Sequence, residues 1–177
     1  AEYEPPVMTR IHANDGSLIA EYARERRIFV PINAVPKIVI GAFLSAEDKN
    51  FYSHNGLDFR GIAIALYKHL VLGRRLVGAS TITQQVAKNF LLSNERSFRR
   101  KLKEAILATR IETAYSKDKI LELYLNEIYF GIGSYGVAAA ALNYFDKELK
   151  DLTPVEAAYL AALPKAPNNY HPFRQRK

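Results

Sequence analysis

The sequence predicts a mainly α-helical domain that opens with a short β-hairpin. Three observations carry that reading. From Pro36 onward the apolar residues recur at helical spacing and continue so, with short breaks, to Pro164. Near the start, Asp15-Gly16 lies between two alternating segments that begin at Ile11 and end at Tyr22, a short-range hairpin signal. The chain has 177 residues, 49% of them hydrophobic, enough to bury one core.

Taken in order, residues 1–6 with Pro5-Pro6 read as a linker, and the hairpin follows. Arg24 to Arg27 form a charged run, and Ile28-Phe29-Val30-Pro31 is extended. Ile38 to Ala46 reads as a buried helix. A second helix starts at Phe59, with Ile62, Leu66, His69 and Leu70 on one face. Gly73-Arg74-Arg75-Leu76-Val77-Gly78 breaks the pattern, and two glycines around a basic pair predict a mobile loop. In the next helix Ile82, Val86 and Phe90 mark the buried side. Thr81, Gln84, Gln85 and Lys88 fall at i, i+3, i+4 and i+7 on another face. A helix over 97–114 begins with Arg96, Arg99, Arg100, Lys101 and Lys103 and takes Leu102, Ala105, Ile106 and Thr109 as its inner face. Ser116 caps a helix holding Ile120, Leu121, Tyr124 and Leu125, and Gly131 and Gly133 then interrupt the chain. Ala138 to Leu142 is a small-residue helix suited to close packing. Thr153-Pro154-Val155-Glu156 combines a capping box with proline at the first helical position. Pro167, Tyr170 and Pro172 form an extended tail. The sequence contains no internal repeat.

The bulk numbers bound the partners. A net charge of +7 favours phosphate-bearing ones: nucleic acid, anionic headgroups or a diphosphate. With no cysteine there is no disulfide and no thiolate metal site. No run reaches the roughly 18 apolar residues needed to span a bilayer. The chain starts at Ala1 and stops at a basic tripeptide, so it is expected to be a piece of a longer protein.

The chemistry concentrates between two apolar segments, where Glu47, Asp48, His54 and Asp58 fall within twelve residues. A carboxylate closing an apolar helix can be partly desolvated, which makes it a better base. Helix punctuation explains the same residues: Asp58 as an N-cap, Asn55-Gly56 as a turn, Glu47 and Asp48 solvated. His54 fits no zinc spacing and reads as a hydrogen-bonding residue. The face with Thr81, Gln84, Gln85 and Lys88 carries amides, a hydroxyl and an ammonium but no carboxylate, which suits a sugar or phosphate. Arg100, Lys101 and Glu104 form either a surface salt-bridge cluster or a phosphate cradle with one embedded carboxylate. Nucleotide-binding and zinc-protease motifs are absent. The basic helix has no interleaved aromatics, so no nucleic-acid partner is expected. Two helix-borne carboxylates, Glu47 and Glu104, are the usual equipment for work at a sugar C1.

These residues fall into a known pattern. Glu47-Asp48-x-x-Phe51-x-x-His54-x-Gly56-x-Asp58 resembles the first signature of the peptidoglycan glycosyltransferases, found in class A penicillin-binding proteins and in monofunctional transglycosylases. Gly78-Ala79-Ser80-Thr81-Ile82-Thr83-Gln84-Gln85-x-x-Lys88-Asn89 resembles the second, and Arg100-Lys101-x-x-Glu104 the third. Lys119 to Asn126, and Gly136 to Phe145, are similar to the fourth and fifth. They stand in family order across nearly the whole chain.

The resemblance implies a lysozyme-like, two-lobed helical fold over residues 1–177, with a smaller membrane-facing lobe around 66–100. It implies polymerisation of lipid II at the outer face of the bacterial cytoplasmic membrane, with inversion at C1 and release of undecaprenyl diphosphate. By this analogy Glu47 is the general base and Glu104 the second catalytic carboxylate. Asp48, Phe51, His54, Ser80, Gln85, Lys88, Asn89, Arg96, Arg100 and Lys101 bind substrate. A diphosphate leaving group needs charge neutralisation more than protonation. Glu104 would therefore orient the cations or hold a divalent cation, Mg²⁺ or Mn²⁺, on the diphosphate. No organic cofactor is implied. The expected partners are lipid II, the lipid-linked growing glycan, the membrane surface beside residues 70–78, and a transpeptidase domain in the parent chain. The transmembrane anchor and that domain are expected to lie outside this sequence, in the parent chain. A glycan-cleaving hydrolase or lytic transglycosylase, and a non-catalytic lipid II-binding module, are the rival readings.

Overall fold

A computed structural model describes residues 9–12, 18–22, 26–73, 80–91 and 98–165. β1 (Thr9–His12) and β2 (Leu18–Tyr22) pair antiparallel, Arg10 opposite Glu21, as expected of the hairpin. The Asp15-Gly16 turn lies outside the described residues. Seven α-helices follow among the described residues: α1 (Lys37–Glu47), α2 (Phe59–Leu72), α3 (Ile82–Leu91), α4 (Phe98–Ala114), α5 (Lys117–Glu127), α6 (Val137–Phe145) and α7 (Pro154–Ala162). The fold is mainly α, as the periodicity predicts.

A second sheet was not foreseen. β3 (Arg26–Arg27) runs parallel to β5 (Ser134–Tyr135), which pairs antiparallel with β4 (Tyr129–Gly131). The two glycines read as an interruption are the turn between β4 and β5. There Gly131, Ile132 and Gly133 all take positive φ, +91°, +50° and +66°. Side-chain atoms disfavour that conformation, which glycine adopts freely.

The core joins α1, α5, α6 and α7. Phe43 packs edge-on against Tyr124 and Phe130, with ring centroids 6.3 and 5.8 Å away. Burying one such ring stabilises by about 1.5–3 kcal/mol. Ala138 to Ala141 are all buried, so α6 approaches its neighbours closely. α1 is less buried than expected: Val39 and Phe43 face inward while Ile38 stays exposed.

Two helices correct the sequence reading more sharply. α2 buries none of its residues. The predicted face of Ile62, Leu66, His69 and Leu70 lies open, together with Phe59, Tyr67, Val71 and Leu72. α4 turns the opposite side inward from the one predicted. Glu104 and Ala108 are buried, and Leu102 and Ile106 are exposed at 55% and 47%. Apolar periodicity assigns carboxylates outward, whereas Glu104 is buried with a lysine partner.

α5 anchors the segment that enters the core. The Asn126 carboxamide accepts from Val30 N–H and donates to Val30 O, both at 2.8 Å. Glu122 accepts from Ile32 N–H at 2.9 Å. Arg27 pairs with Glu127 and lies 4.6 Å from the Tyr135 ring centroid.

The expected caps are present. Asp58 accepts from Gly61 N–H, Ser116 from Lys119 N–H, and Thr153 and Glu156 form a capping box with Pro154 at its start. Hydrogen bonds from Lys147 and from Thr153 N–H lower the Glu156 carboxyl from 4.5 to about 2. A depressed carboxyl contributes stability above its unfolded value and loses it as pH falls through the folded one. Glu156→Gln is therefore expected to remove part of the acid destabilisation between pH 4.5 and about 2, checked by thermal melts across that range.

Candidate active site

α1 ends at Glu47, and the chain turns through Asp48, a 3-10 turn at Phe51–Ser53, His54 and Gly56 before Asp58 starts α2. Asp48 organises this loop. It is 6% exposed, and its two oxygens lie 3.0 Å from His54 Nε2. It also accepts from Ile82 N–H at 2.9 Å, which satisfies one of the open donors at the start of α3. Gly56 N–H donates to His54 Nδ1 at 3.2 Å. Nδ1 is thus the acceptor, and the ring proton on Nε2 faces Asp48.

The start of α3 is tied to the same loop. Gln84 N–H donates to Thr81 Oγ1 at 3.1 Å, and Thr81 N–H donates to Gln84 Oε1 at 3.0 Å. This reciprocal cap follows the Ser/Thr-x-x-Glu/Gln pattern. Thr81 Oγ1 donates onward to Gly56 O at 2.6 Å. Thr81 and Gln84, expected on an open gripping face, are instead buried here. The cap sets the angle of α3, and one residue on Gln85 Nε2 donates to Glu47 Oε2 at 3.0 Å.

From α4, Lys101 ion-pairs with buried Glu104 and donates to Ser80 Oγ at 2.8 Å. A cleft of about 320 Å³ opens beside Glu47, and Lys49, Asp58, Gly61, Lys68 and Ser80 contribute to its lining. Glu47, Ser80, Lys101 and Glu104 therefore form one continuous polar track: cleft, hydroxyl, ammonium, carboxylate.

Two lining residues, Lys49 and Lys68, were missed from the sequence. Lys68 is the one lysine of α2, two turns after Gly61, and that i, i+7 spacing is the signal that could have found it.

The structure brings Glu47 to Gln85, and Ser80 and Glu104 to Lys101. Lys88 and Asn89 are exposed on α3, and Arg100 is partly buried on α4. Asp48, His54 and Phe51 serve the scaffold with their side chains. Phe51 is 1% exposed and lies under the Lys117 ammonium, 4.5 Å from its ring centroid. Lys117 and Thr83 both donate to Glu112 at 2.6 Å. Arg96 and residues 74–79 lie outside the described residues.

Among the described residues the donor set does not make up a metal site from protein ligands alone. No group of three or more histidines and carboxylates comes together among the described residues, and Glu104 is engaged by Lys101.

A family model described as Transglycosylase matches residues 15–177. Penicillin-binding protein 1A of Rickettsia felis is 56% identical over 177 residues, 98% of this chain and 22% of that protein. Penicillin-binding protein 1A of Neisseria flavescens is 54% identical over 171 residues, 97% of this chain and 21% of that one. A crystal structure of penicillin-binding protein 1A from Haemophilus influenzae superposes with a TM-score of 0.48 at 30% identity, covering 93% of this chain and 15% of that one. The chain spans 22% of the length of the Rickettsia felis protein. With the family model matched across residues 15–177, the chain belongs to the transglycosylase family, the peptidoglycan glycosyltransferases whose motifs it carries.

Proposed function

We propose that this domain polymerises lipid II into β-1,4-linked glycan at the outer face of the bacterial cytoplasmic membrane. The observation that carries the reading is Glu47 at the edge of a cleft, with Oε2 held by Gln85 and the Ser80–Lys101–Glu104 track beside it. The Glu47 carboxylate takes the proton of the acceptor sugar's 4-hydroxyl. The freed oxygen pair forms a bond to C1 of the donor. The C1–oxygen bond to diphosphate breaks from the opposite face, and its electron pair leaves with undecaprenyl diphosphate. Lys101, with Arg100, Lys88 and, from the sequence, Arg96, offsets that charge. Glu104 holds Lys101 in place, an arrangement suited to orienting a cation rather than to giving up a proton.

The open apolar side of α2, with Phe98, Leu102 and Ile106 of α4, supports a smaller lobe around 66–100 that meets the bilayer surface. No helix among the described residues is long and apolar enough to cross a membrane. A transmembrane anchor and a transpeptidase domain belong, in this reading, to the parent chain.

The test is to incubate the chain with lipid II in detergent. The expected product is a polymer that a muramidase cuts, with undecaprenyl diphosphate released. Cleavage of purified glycan without use of lipid II would support the hydrolase reading instead. Binding with no polymer at any enzyme concentration would support the binding module.

A further inference from the structure

The two sides of α2 differ in kind. Gly61, Ala65 and Lys68 recur at i, i+4 and i+7 and share one face. Gly61 and Lys68 line the cleft of about 320 Å³ that also holds Glu47, together with Asp58 at the helix start. On the opposite side Phe59, Leu66 and Leu70 stand exposed. The helix thus keeps its single lysine on the cleft side and its open apolar surface on the other.

The charges around this cleft are unevenly matched. Among the described residues that line it, two carboxylates besides Glu47 are committed to their own loop. Asp48 accepts from His54 and from Ile82 N–H, and Asp58 accepts from Asn50 and from Gly61 N–H. The cations are Lys49 and Lys68, and neither ammonium has an ion-pair partner among the described residues. Lys101, which meets the leaving diphosphate in the proposed reaction, is by contrast paired with Glu104.

The substrates supply a use for a second cationic site. Polymerisation brings two diphosphates to one domain. The donor loses its diphosphate, while the acceptor keeps its own. The acceptor's 4-hydroxyl must reach Glu47, so the acceptor sugars occupy the Glu47 cleft. Its diphosphate joins those sugars to the lipid and therefore lies at the bilayer surface. The apolar side of α2 is the surface that the proposed function sets against that bilayer. A lysine that belongs both to the cleft and to α2 stands where the retained diphosphate must lie, and a lysine ammonium suits phosphate as a point charge.

We propose that Lys68, with Lys49 beside it, binds the diphosphate that the acceptor retains, a site separate from the Lys101 track that meets the leaving diphosphate. The inference rests on reading the domain as a lipid II polymerase with Glu47 as its base. It predicts a division of roles: Lys101 acts on the step in which charge develops, whereas Lys68 acts on acceptor binding, before and after that step alike.

The test is Lys68→Gln in the whole chain, assayed by transfer of a labelled lipid-linked glycan whose terminal 4-hydroxyl is blocked, so that it serves as donor only. Two acceptors are compared: lipid II, and an analogue in which an uncharged linker replaces the diphosphate. The expected result with lipid II is a KM raised by about 10-fold, the loss of one charge-assisted hydrogen bond, with kcat unchanged. With the uncharged analogue the variant is expected to match the parent. Lys68 is exposed, so the melting temperature should not move. Lys37→Gln removes the same charge at the far end of α1 and is expected to leave KM unchanged. A parental KM for lipid II in Lys68→Gln would overturn the inference. So would an equal rise in KM with the uncharged analogue or in Lys37→Gln, or a fall in kcat at unchanged KM. If the parent chain transfers no glycan to lipid II, the polymerase reading itself fails; if the parent is active and Lys68→Gln is indistinguishable from it, only this inference fails.

Discussion

Replacing Glu47 by glutamine is expected to lower lipid II polymerisation by about a thousandfold or more and to leave the fold intact. A positioned general base contributes about 10²–10⁴ in rate, and each tenfold corresponds to about 1.4 kcal/mol of barrier. Glutamine has the shape of glutamate, and its carbonyl can still accept from Gln85 Nε2, which donates to Glu47 Oε2 at 3.0 Å in the parent. The anchor of α3 on α1 is therefore kept while the proposed proton acceptor is lost. Initial rates with lipid II and a thermal melt check the two halves together. A melting temperature that drops with the activity would mean that Glu47 is a structural residue.

Gly56→Ala is expected to cause a large loss of stability. Gly56 has φ +89°, and a Cβ there would lie 2.9 Å from both C and O of Ala108. Those atoms belong to the backbone of α4, so no side chain can swing aside. Backbone strain of this kind costs about 1–3 kcal/mol, and displacing a packed helix adds to it. A total near 3 kcal/mol or more would lower the melting temperature of a domain this size by about 6–12 °C. The damage also reaches the chemistry. Gly56 O accepts from Thr81 and Gly56 N–H donates to His54, while Ala108 lies one turn after Glu104. A shifted α4 carries Lys101 and Glu104 away from Ser80, so polymerisation falls as well. Gly73→Ala is the control: φ is +61° there, but nothing stands within 4 Å. It should cost about 1 kcal/mol from backbone strain alone.

Much of the scaffold was legible in the chain, and the reasons are local. Ser116, Thr153 and Asp58 announce helix starts through hydrogen bonds to residues three positions on. The sheet was not legible. Arg26–Arg27 meets Ser134–Tyr135 across more than a hundred residues, and two-residue strands are too short to show a period of two. The face of α4 was misread because periodicity counts apolar side chains and cannot see that Lys101 makes Glu104 burial tolerable. Thr81 and Gln84 were misread for a different reason. Amide and hydroxyl residues suit both a sugar-binding face and a helix cap, and burial decides between them. Glu47 and Glu104 were visible as a pair, and the motif spacing pointed to Gln85 and Lys101. That Asp48 and His54 act through each other and through α3 follows from their distances alone.

The central claim is that Glu47 acts in the chemical step and not in holding substrate. The most direct measurement is the affinity of Glu47→Gln for lipid II in detergent, set beside its polymerisation rate. The account predicts a Kd within about threefold of the parent chain, equivalent to less than about 0.7 kcal/mol, together with no polymer. Loss of binding in step with loss of polymer would contradict it and make Glu47 a substrate-holding residue.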